Sequence, residues 1–130
     1  MTSFKNNPIF KGIPAKALES ILQRAKTREY RAGETIIVEG DVGEEFYVIL
    51  SGAVEITKKA DPTPVILREG HGFGEVALVK RVKRTASVRA VNDVKLLCLE
   101  KRLFDILFIP GSAERKTLTE NIRSLFPMAA

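Results

Sequence analysis

The residues best suited to chemistry lie between positions 70 and 90, where glycine interrupts two strand candidates. Gly74 permits a close approach of the backbone to a ligand. Residues 75–79 follow it directly and can form one helical turn, whose free N–H groups favour an anion. Arg84 stands nine positions after Glu75, and a guanidinium can clamp two oxygens of a phosphate. This spacing predicts one pocket for a phosphate group.

The charges of Arg84 and Glu75 indicate which kind of phosphate group the pocket would bind. A cyclic phosphodiester carries one negative charge, which a single arginine such as Arg84 balances. Glu75 would repel a phosphate if it pointed at it, so its carboxylate fits the pocket only as an acceptor of hydrogen bonds from sugar hydroxyls. One cationic fork and one carboxylate acceptor suit the cyclic phosphate and the ribose 2′-hydroxyl of a nucleotide.

The elements predicted around this pocket are one helix and a series of short strands. Residues 14–26 predict a helix, because Pro14 suits a first helical turn and apolar residues follow at helical spacing. From residue 28 to residue 99, short strands alternate with turns, which favours a roll, sandwich or barrel over a parallel sheet. The strand candidates, most of them rich in valine, isoleucine and aromatic residues, are 35–38, 46–50, 53–57, 65–68, 85–91 and 94–99.

Helical periodicity returns after residue 99. Residues 101–108 are one candidate, and Pro110-Gly111 ends it. Ser112 can cap a last helix that runs to Phe126 with its apolar residues along one face. The predicted fold class is α+β: an antiparallel β-roll flanked by one N-terminal helix and two C-terminal helices. We expect residues 1–130 to form one domain.

Composition argues against several classes of protein. The apolar runs are too short to cross a bilayer, and the first residues lack the apolar core of a signal peptide, so we expect a cytoplasmic protein without membrane insertion. A metal-dependent enzyme on a similar roll needs two or more histidines with a carboxylate. The sequence has one histidine, His71, and one cysteine, Cys98, which we expect in an exposed turn and in the core respectively. We therefore expect neither a metal nor catalysis.

Two separate blocks of the sequence resemble cyclic-nucleotide-binding domains. The segment FGEVAL at 73–78, followed by RTASV from Arg84, resembles the phosphate-binding cassette of that family, which we place at residues 72–90. The earlier segment EGD at 39–41, with Gly43, FYVI at 46–49 and the Ser51-Gly52 turn, resembles the first-half signature of the family. The blocks are independent and correctly ordered, so the resemblance covers essentially the whole chain and is highly specific.

The resemblance implies a set of ligand contacts. In the family, the residues matching Gly74 to Ala77 hold the ribose and phosphate, the residue matching Arg84 pairs with the phosphate, and side chains matching Ala86 and Val88 line the purine pocket. The final helix closes over the base. The implied binding residues here are Phe73, Gly74, Glu75, Val76, Ala77, Arg84, Thr85, Ala86 and Val88, with Ile122, Leu125 and Phe126 as the lid.

The implied function is a regulatory sensor that binds cAMP or cGMP and relays occupancy through its C-terminal helix to a kinase or an ion channel. Threonine at the position of Thr85 often accompanies cGMP binding in the family, because its hydroxyl can accept a hydrogen bond from the guanine amine. Strand alternation, however, directs Thr85 and Arg84 to opposite faces unless the strand is bent. The sequence alone does not decide between cAMP and cGMP.

Two alternative functions have specific requirements. A degenerate domain that binds only protein is opposed by the presence of both Glu75 and Arg84. A DNA-binding regulator of this family needs a helix-turn-helix after the last helix, and few residues follow Phe126, so nucleic acid is not expected. The basic turn at 80–83 departs from the neutral turn of many relatives. It is either a solvated loop tip or a charged surface that attracts an acidic partner or the anionic ligand itself.

Overall fold

The computed structural model describes residues 10–74 and 82–125, leaving aside the side chains of residues 82 and 122–125. The helices within these ranges are α1 (Ala15–Arg24), α2 (Lys101–Leu107) and α3 (Ala113–Leu125). The strands are β1 (Lys26–Tyr30), β2 (Thr35–Ile37), β3 (Val42–Gly43), β4 (Glu45–Ser51), β5 (Ala53–Thr57), β6 (Val65–Arg68), β7 (Gly72–Phe73), β8 (Val82–Lys83), β9 (Ser87–Ala90) and β10 (Val94–Glu100).

The strands form two four-stranded sheets and a two-stranded ribbon, with antiparallel pairing throughout these described segments. The first sheet has the order β1-β10-β4-β7, the second has the order β2-β9-β5-β6, and the ribbon pairs β3 with β8. One helix precedes this roll and two helices follow it. The predicted fold class is therefore confirmed.

Strand β4 is buried on both faces and contributes to two separate cores. Because successive side chains of a strand point to opposite faces, its apolar run divides between them. One core, the helical core, lies between the first sheet and the helices and comprises Phe10, Ile13, Leu18, Ile21, Phe46, Val48, Leu50, Leu97, Leu99, Phe104, Phe108 and Leu118. The other, the roll core, lies between the two sheets and comprises Ile37, Tyr47, Ile49, Val54, Ile56, Phe73, Ala86, Val88, Ala90, Val94, Leu96 and Cys98.

The boundary between the first helix and the roll differs from the prediction. The helix ends at Arg24, Ala25 is already extended (φ −69°, ψ 146°), and β1 begins at Lys26. The pattern gave no strand here because KTREY is mostly polar and largely exposed. It forms a strand because it pairs along its length with the buried strand β10.

The predicted strand at 85–91 begins later than expected. Thr85 and Ala86 form a bend, and the ladder starts at Ser87. The two-residue strands β3, β7 and β8 are too short for a period of two to show in the sequence. The other predicted strands agree with the structure to within one residue at each end.

Ser112 caps the last helix as predicted. The N–H of Arg115 donates to Ser112 Oγ at 3.2 Å, which satisfies one of the free N–H groups of the first turn. Leu118, in the second turn of α3, is 1% exposed and anchors the helix in the helical core. Of the helices in residues 10–74 and 82–125, none is long and apolar enough to span a bilayer.

Candidate functional site

The site is built around Arg84, which lies between β8 and β9. Within the described part of the chain, Arg84 is the only charged residue that is buried, with 7% of its surface exposed. Its main chain is fixed from both sides by the turn that joins β2 and β3. The N–H of Arg84 donates to the carbonyl of Asp41 at 2.7 Å, and the N–H of Gly40 donates to the carbonyl of Arg84 at 2.9 Å. The earlier sequence block thus holds the arginine of the later one.

Two main-chain carbonyls orient the guanidinium of Arg84. Nη2 donates to the carbonyl of Glu45 at 2.7 Å, and Nη1 donates to the carbonyl of Gly74 at 3.4 Å. Both acceptors belong to the main chain, so the fold itself fixes the direction in which the guanidinium points. A positive group held in this way in a partly desolvated site is suited to binding an anion.

Glycines leave the space that the guanidinium occupies. A Cβ atom at Gly43 would overlap Arg84 Nε and Cζ, and a Cβ atom at Gly74 would lie 2.7 Å from Arg84 Nη1. Gly74 also has φ +82°, a conformation that side-chain-bearing residues rarely adopt. Both positions therefore need glycine for Arg84 to lie where it does.

The two residues predicted to line the purine pocket, Ala86 and Val88, are fully buried in the roll core. Phe73, another predicted binding residue, is also fully buried there, and its ring stacks on Tyr47 with a centroid distance of 5.0 Å. Thr85, in contrast, is exposed. The bend at Thr85 and Ala86 thus buries the side chains on either side of Thr85.

Several predicted site residues lie outside the described residues. These are Glu75, Val76 and Ala77, with the helical turn expected at 75–79, and Phe126 of the expected lid. For Ile122 and Leu125 the backbone continues α3, but the side chains are not described. The contacts of all these residues remain predictions.

Glu45 is not among the predicted site residues, but its carbonyl binds Arg84 and its side chain binds two neighbouring residues. Its Oε1 accepts hydrogen bonds from Arg28 Nη1 at 3.3 Å and from the hydroxyl of Tyr47 at 3.2 Å. Its Oε2 is buried and has no hydrogen-bond partner in the part of the chain described. Burial, and then the charge of Glu45, raises the pKa of Tyr47, so the phenol stays protonated and remains a donor.

The remaining reactive side chains are structural. Cys98 is 2% exposed, and burial raises the pKa of its thiol to about 12, so it is an inert core residue as predicted. His71 is in an exposed turn, where its Nδ1 contacts the main chain of Arg68. Ser87 Oγ accepts a hydrogen bond from the N–H of Glu39 at 2.9 Å. Across residues 10–74 and 82–125, no cluster of three histidine, cysteine or acidic side chains could hold a metal ion.

Comparison of the sequence with known proteins identifies related regulatory subunits. A family model described as the cyclic nucleotide-binding domain matches residues 27–109. The cAMP-dependent protein kinase regulatory subunit of Eremothecium gossypii is 35% identical over 106 residues, which are 82% of this chain and 23% of that protein. The chain thus spans about a quarter of the length of this curated relative.

Solved structures share the same fold. The catabolite activator protein of Thermus thermophilus has a TM-score of 0.76 at 27% identity, over 92% of this chain and 56% of that chain. The C-linker/CNBHD of zELK channels, crystallised in the presence of cAMP, has a TM-score of 0.83 at 22% identity, over 96% and 64% of the two chains. Since the family model covers well over half of the sequence, the chain belongs to the family of cyclic nucleotide-binding domains.

Proposed function

We propose that this chain is a regulatory sensor that binds cAMP or cGMP and catalyses no reaction itself. The observation that carries this proposal is the position of Arg84. The guanidinium is buried, oriented by two neutral carbonyls and fitted between two glycines. A cyclic phosphodiester supplies one negative charge and two exocyclic oxygens, which match the fork of an arginine. The same built site speaks against a degenerate domain that keeps the fold without the ligand.

Nucleotide binding changes the position of the C-terminal helix in this proposal, and a kinase or a channel responds to that change. The relative named above is a regulatory subunit of a cAMP-dependent kinase, and the structurally similar channel domain supports the second kind of effector by its fold alone. A ligand can shift the helix from one position to another only if it binds the protein more tightly when the helix is in the second position.

The first prediction concerns the charge of Arg84. Arg84→Ala removes a charge-assisted contact with the phosphate and should weaken cyclic-nucleotide binding by about 2–5 kcal/mol, as for truncating one partner of a buried charge pair. Calorimetric titration with cAMP and cGMP measures the loss. Arg31→Ala is the control, since Arg31 is exposed, lies outside the cassette, and its removal changes the net charge equally. Unchanged affinity in a folded Arg84 variant would refute the pocket.

The second prediction concerns the space beside Arg84. Gly43 has no positive φ, so alanine is allowed by its backbone and acts only by pushing the guanidinium aside. Gly43→Ala should reduce the free energy of unfolding by about 1–3 kcal/mol, as overpacking does, and weaken nucleotide binding as well. Urea unfolding and calorimetry give the two values. Val42→Ala, at the exposed preceding residue, should change neither, and a Gly43 variant with normal affinity would contradict the proposed fit.

The third prediction concerns the choice of base. If the hydroxyl of Thr85 accepts a hydrogen bond from guanine, Thr85→Ala should weaken cGMP binding by about 0.5–1.5 kcal/mol and leave cAMP binding unchanged. The exposure of Thr85 makes its hydroxyl accessible to a ligand at the surface of the roll. Titrating both nucleotides into both proteins measures the difference. Equal losses for the two ligands, or no loss, would show that Thr85 does not read the base.

A further inference from the structure

The side chain of Glu45 connects two strands of the first sheet. Its Oε1 accepts hydrogen bonds from Arg28 Nη1 at 3.3 Å and from the hydroxyl of Tyr47 at 3.2 Å. Tyr47 lies two residues further along the same strand, β4. Arg28 belongs to β1, and the strand order β1-β10-β4 places β10 between Arg28 and Glu45. The ion pair therefore spans β10 and joins β1 to the start of β4.

The same side chain is linked to both carbonyls that orient Arg84. One is the carbonyl of Glu45 itself, which accepts from Arg84 Nη2 at 2.7 Å. The other belongs to Gly74 and accepts from Arg84 Nη1 at 3.4 Å. Gly74 directly follows Phe73, whose ring stacks on that of its cross-strand partner Tyr47 at an interplanar angle of 20°. These contacts form a closed ring that begins and ends at Glu45.

The carboxylate of Glu45 lies in an environment that is unfavourable for it. The side chain is 20% exposed, and Oε2 is buried with no hydrogen-bond partner in the described part of the chain. An unsatisfied polar atom in the interior destabilises a fold. The ion pair compensates only in part, because the side chain of Arg28 is 40% exposed and water screens it. Stability therefore does not account for a carboxylate here, whereas its links to the acceptors of Arg84 do.

We propose that Glu45 is a positioning residue for nucleotide binding: its side chain, through Tyr47 and Arg28, holds the two carbonyls that direct the guanidinium of Arg84. This proposal rests on the proposed nucleotide-binding function. A guanidinium that already points in one direction loses less freedom when the phosphate binds, so preorganisation raises affinity. Without the hydrogen bond between Glu45 and Tyr47, the two carbonyls can move relative to each other and part of that gain is lost.

The first experiment removes the contacts of the Glu45 carboxylate. Tyr47→Phe deletes the hydroxyl and keeps the ring on Phe73, whereas Glu45→Leu deletes both carboxylate oxygens. Each variant should bind cAMP and cGMP roughly three- to tenfold more weakly in calorimetric titrations, the range expected for one hydrogen bond. The double variant should lose no more than Glu45→Leu alone, because Tyr47 acts through Glu45.

Two further variants separate positioning from charge. Removal of a carboxylate near the site would by itself strengthen the attraction of an anion, so weaker binding by Glu45→Leu is opposite to the charge effect. Glu45→Gln keeps one oxygen as an acceptor for Tyr47 and Arg28, and its affinity should equal or exceed that of the unsubstituted protein. Glu100→Leu is the matched control, because Glu100 lies opposite Glu45 on β10 but forms its 3.5 Å ion pair with Lys26. Its affinity should also be equal or higher.

A second measurement needs no nucleotide. In a nitrogen–proton spectrum, the Nε–H signal of Arg84, which disappears in Arg84→Lys, reports how firmly the guanidinium is held. Its proton should exchange with water faster in Tyr47→Phe and Glu45→Leu than in the unsubstituted protein or in Glu100→Leu. Urea unfolding of each variant shows whether a loss of affinity comes from partial unfolding instead.

The outcomes distinguish the positioning role from the proposed function. Nucleotide binding that is equally tight in the unsubstituted protein, Tyr47→Phe and Glu45→Leu would overturn the positioning role alone. Additive losses in the double variant, with the exchange of Arg84 Nε–H unaltered, would overturn it as well, because the two residues would then act independently. If the folded, unsubstituted protein bound neither nucleotide, the proposed function would fail, and the exchange of Arg84 Nε–H would still decide whether Glu45 positions the guanidinium.

Discussion

The burial of Arg84 is the constraint around which the rest of the site is arranged. A buried guanidinium destabilises a fold unless its donors are satisfied and its charge is compensated. The fold provides carbonyls from Glu45 and Gly74, and the β2–β3 turn holds the main chain of the arginine. Glycine is required at 43 and 74 because any side chain would enter the same space. A bound phosphodiester would add negative charge to a site that these contacts have already shaped.

Strand β4 links this site to the helices. Its first residue, Glu45, presents the carbonyl that Arg84 binds, and its following residues alternate between the helical core and the roll core. The carbonyl of Glu44, just before the strand, holds the first N–H of α2. One strand, buried on both faces, therefore contacts Arg84, the proposed phosphate-binding residue, at its start and packs against the helices along its length. Packed elements of this kind transmit strain because protein interiors are dense.

The sequence predicted those features that depend on side-chain type. Apolar runs such as 46–50 and 94–99 predicted the central strands. The spacing of the cassette predicted that Gly74 and Arg84 lie together, and Arg84 Nη1 is 3.4 Å from the carbonyl of Gly74. The polar strand β1 was missed because it forms by pairing with β10 rather than by its own apolar pattern. The contact between Glu45 and Arg84 could not be predicted from the sequence, for a different reason. Any residue offers a main-chain carbonyl, and the bond joins positions 39 residues apart in the chain.

The most direct test of the central claim observes the guanidinium of Arg84 during binding. In a nitrogen–proton spectrum of the arginine side chains, the Nε–H signal of Arg84 is assigned by its loss in Arg84→Lys. Titration with cAMP or cGMP should shift this signal in proportion to occupancy, because the phosphate becomes a new charged neighbour. The linear nucleotide 5′-AMP, whose phosphate is not cyclic, should shift it only at much higher concentration. Saturation with a cyclic nucleotide that moves other signals and leaves that of Arg84 unchanged would contradict the claim.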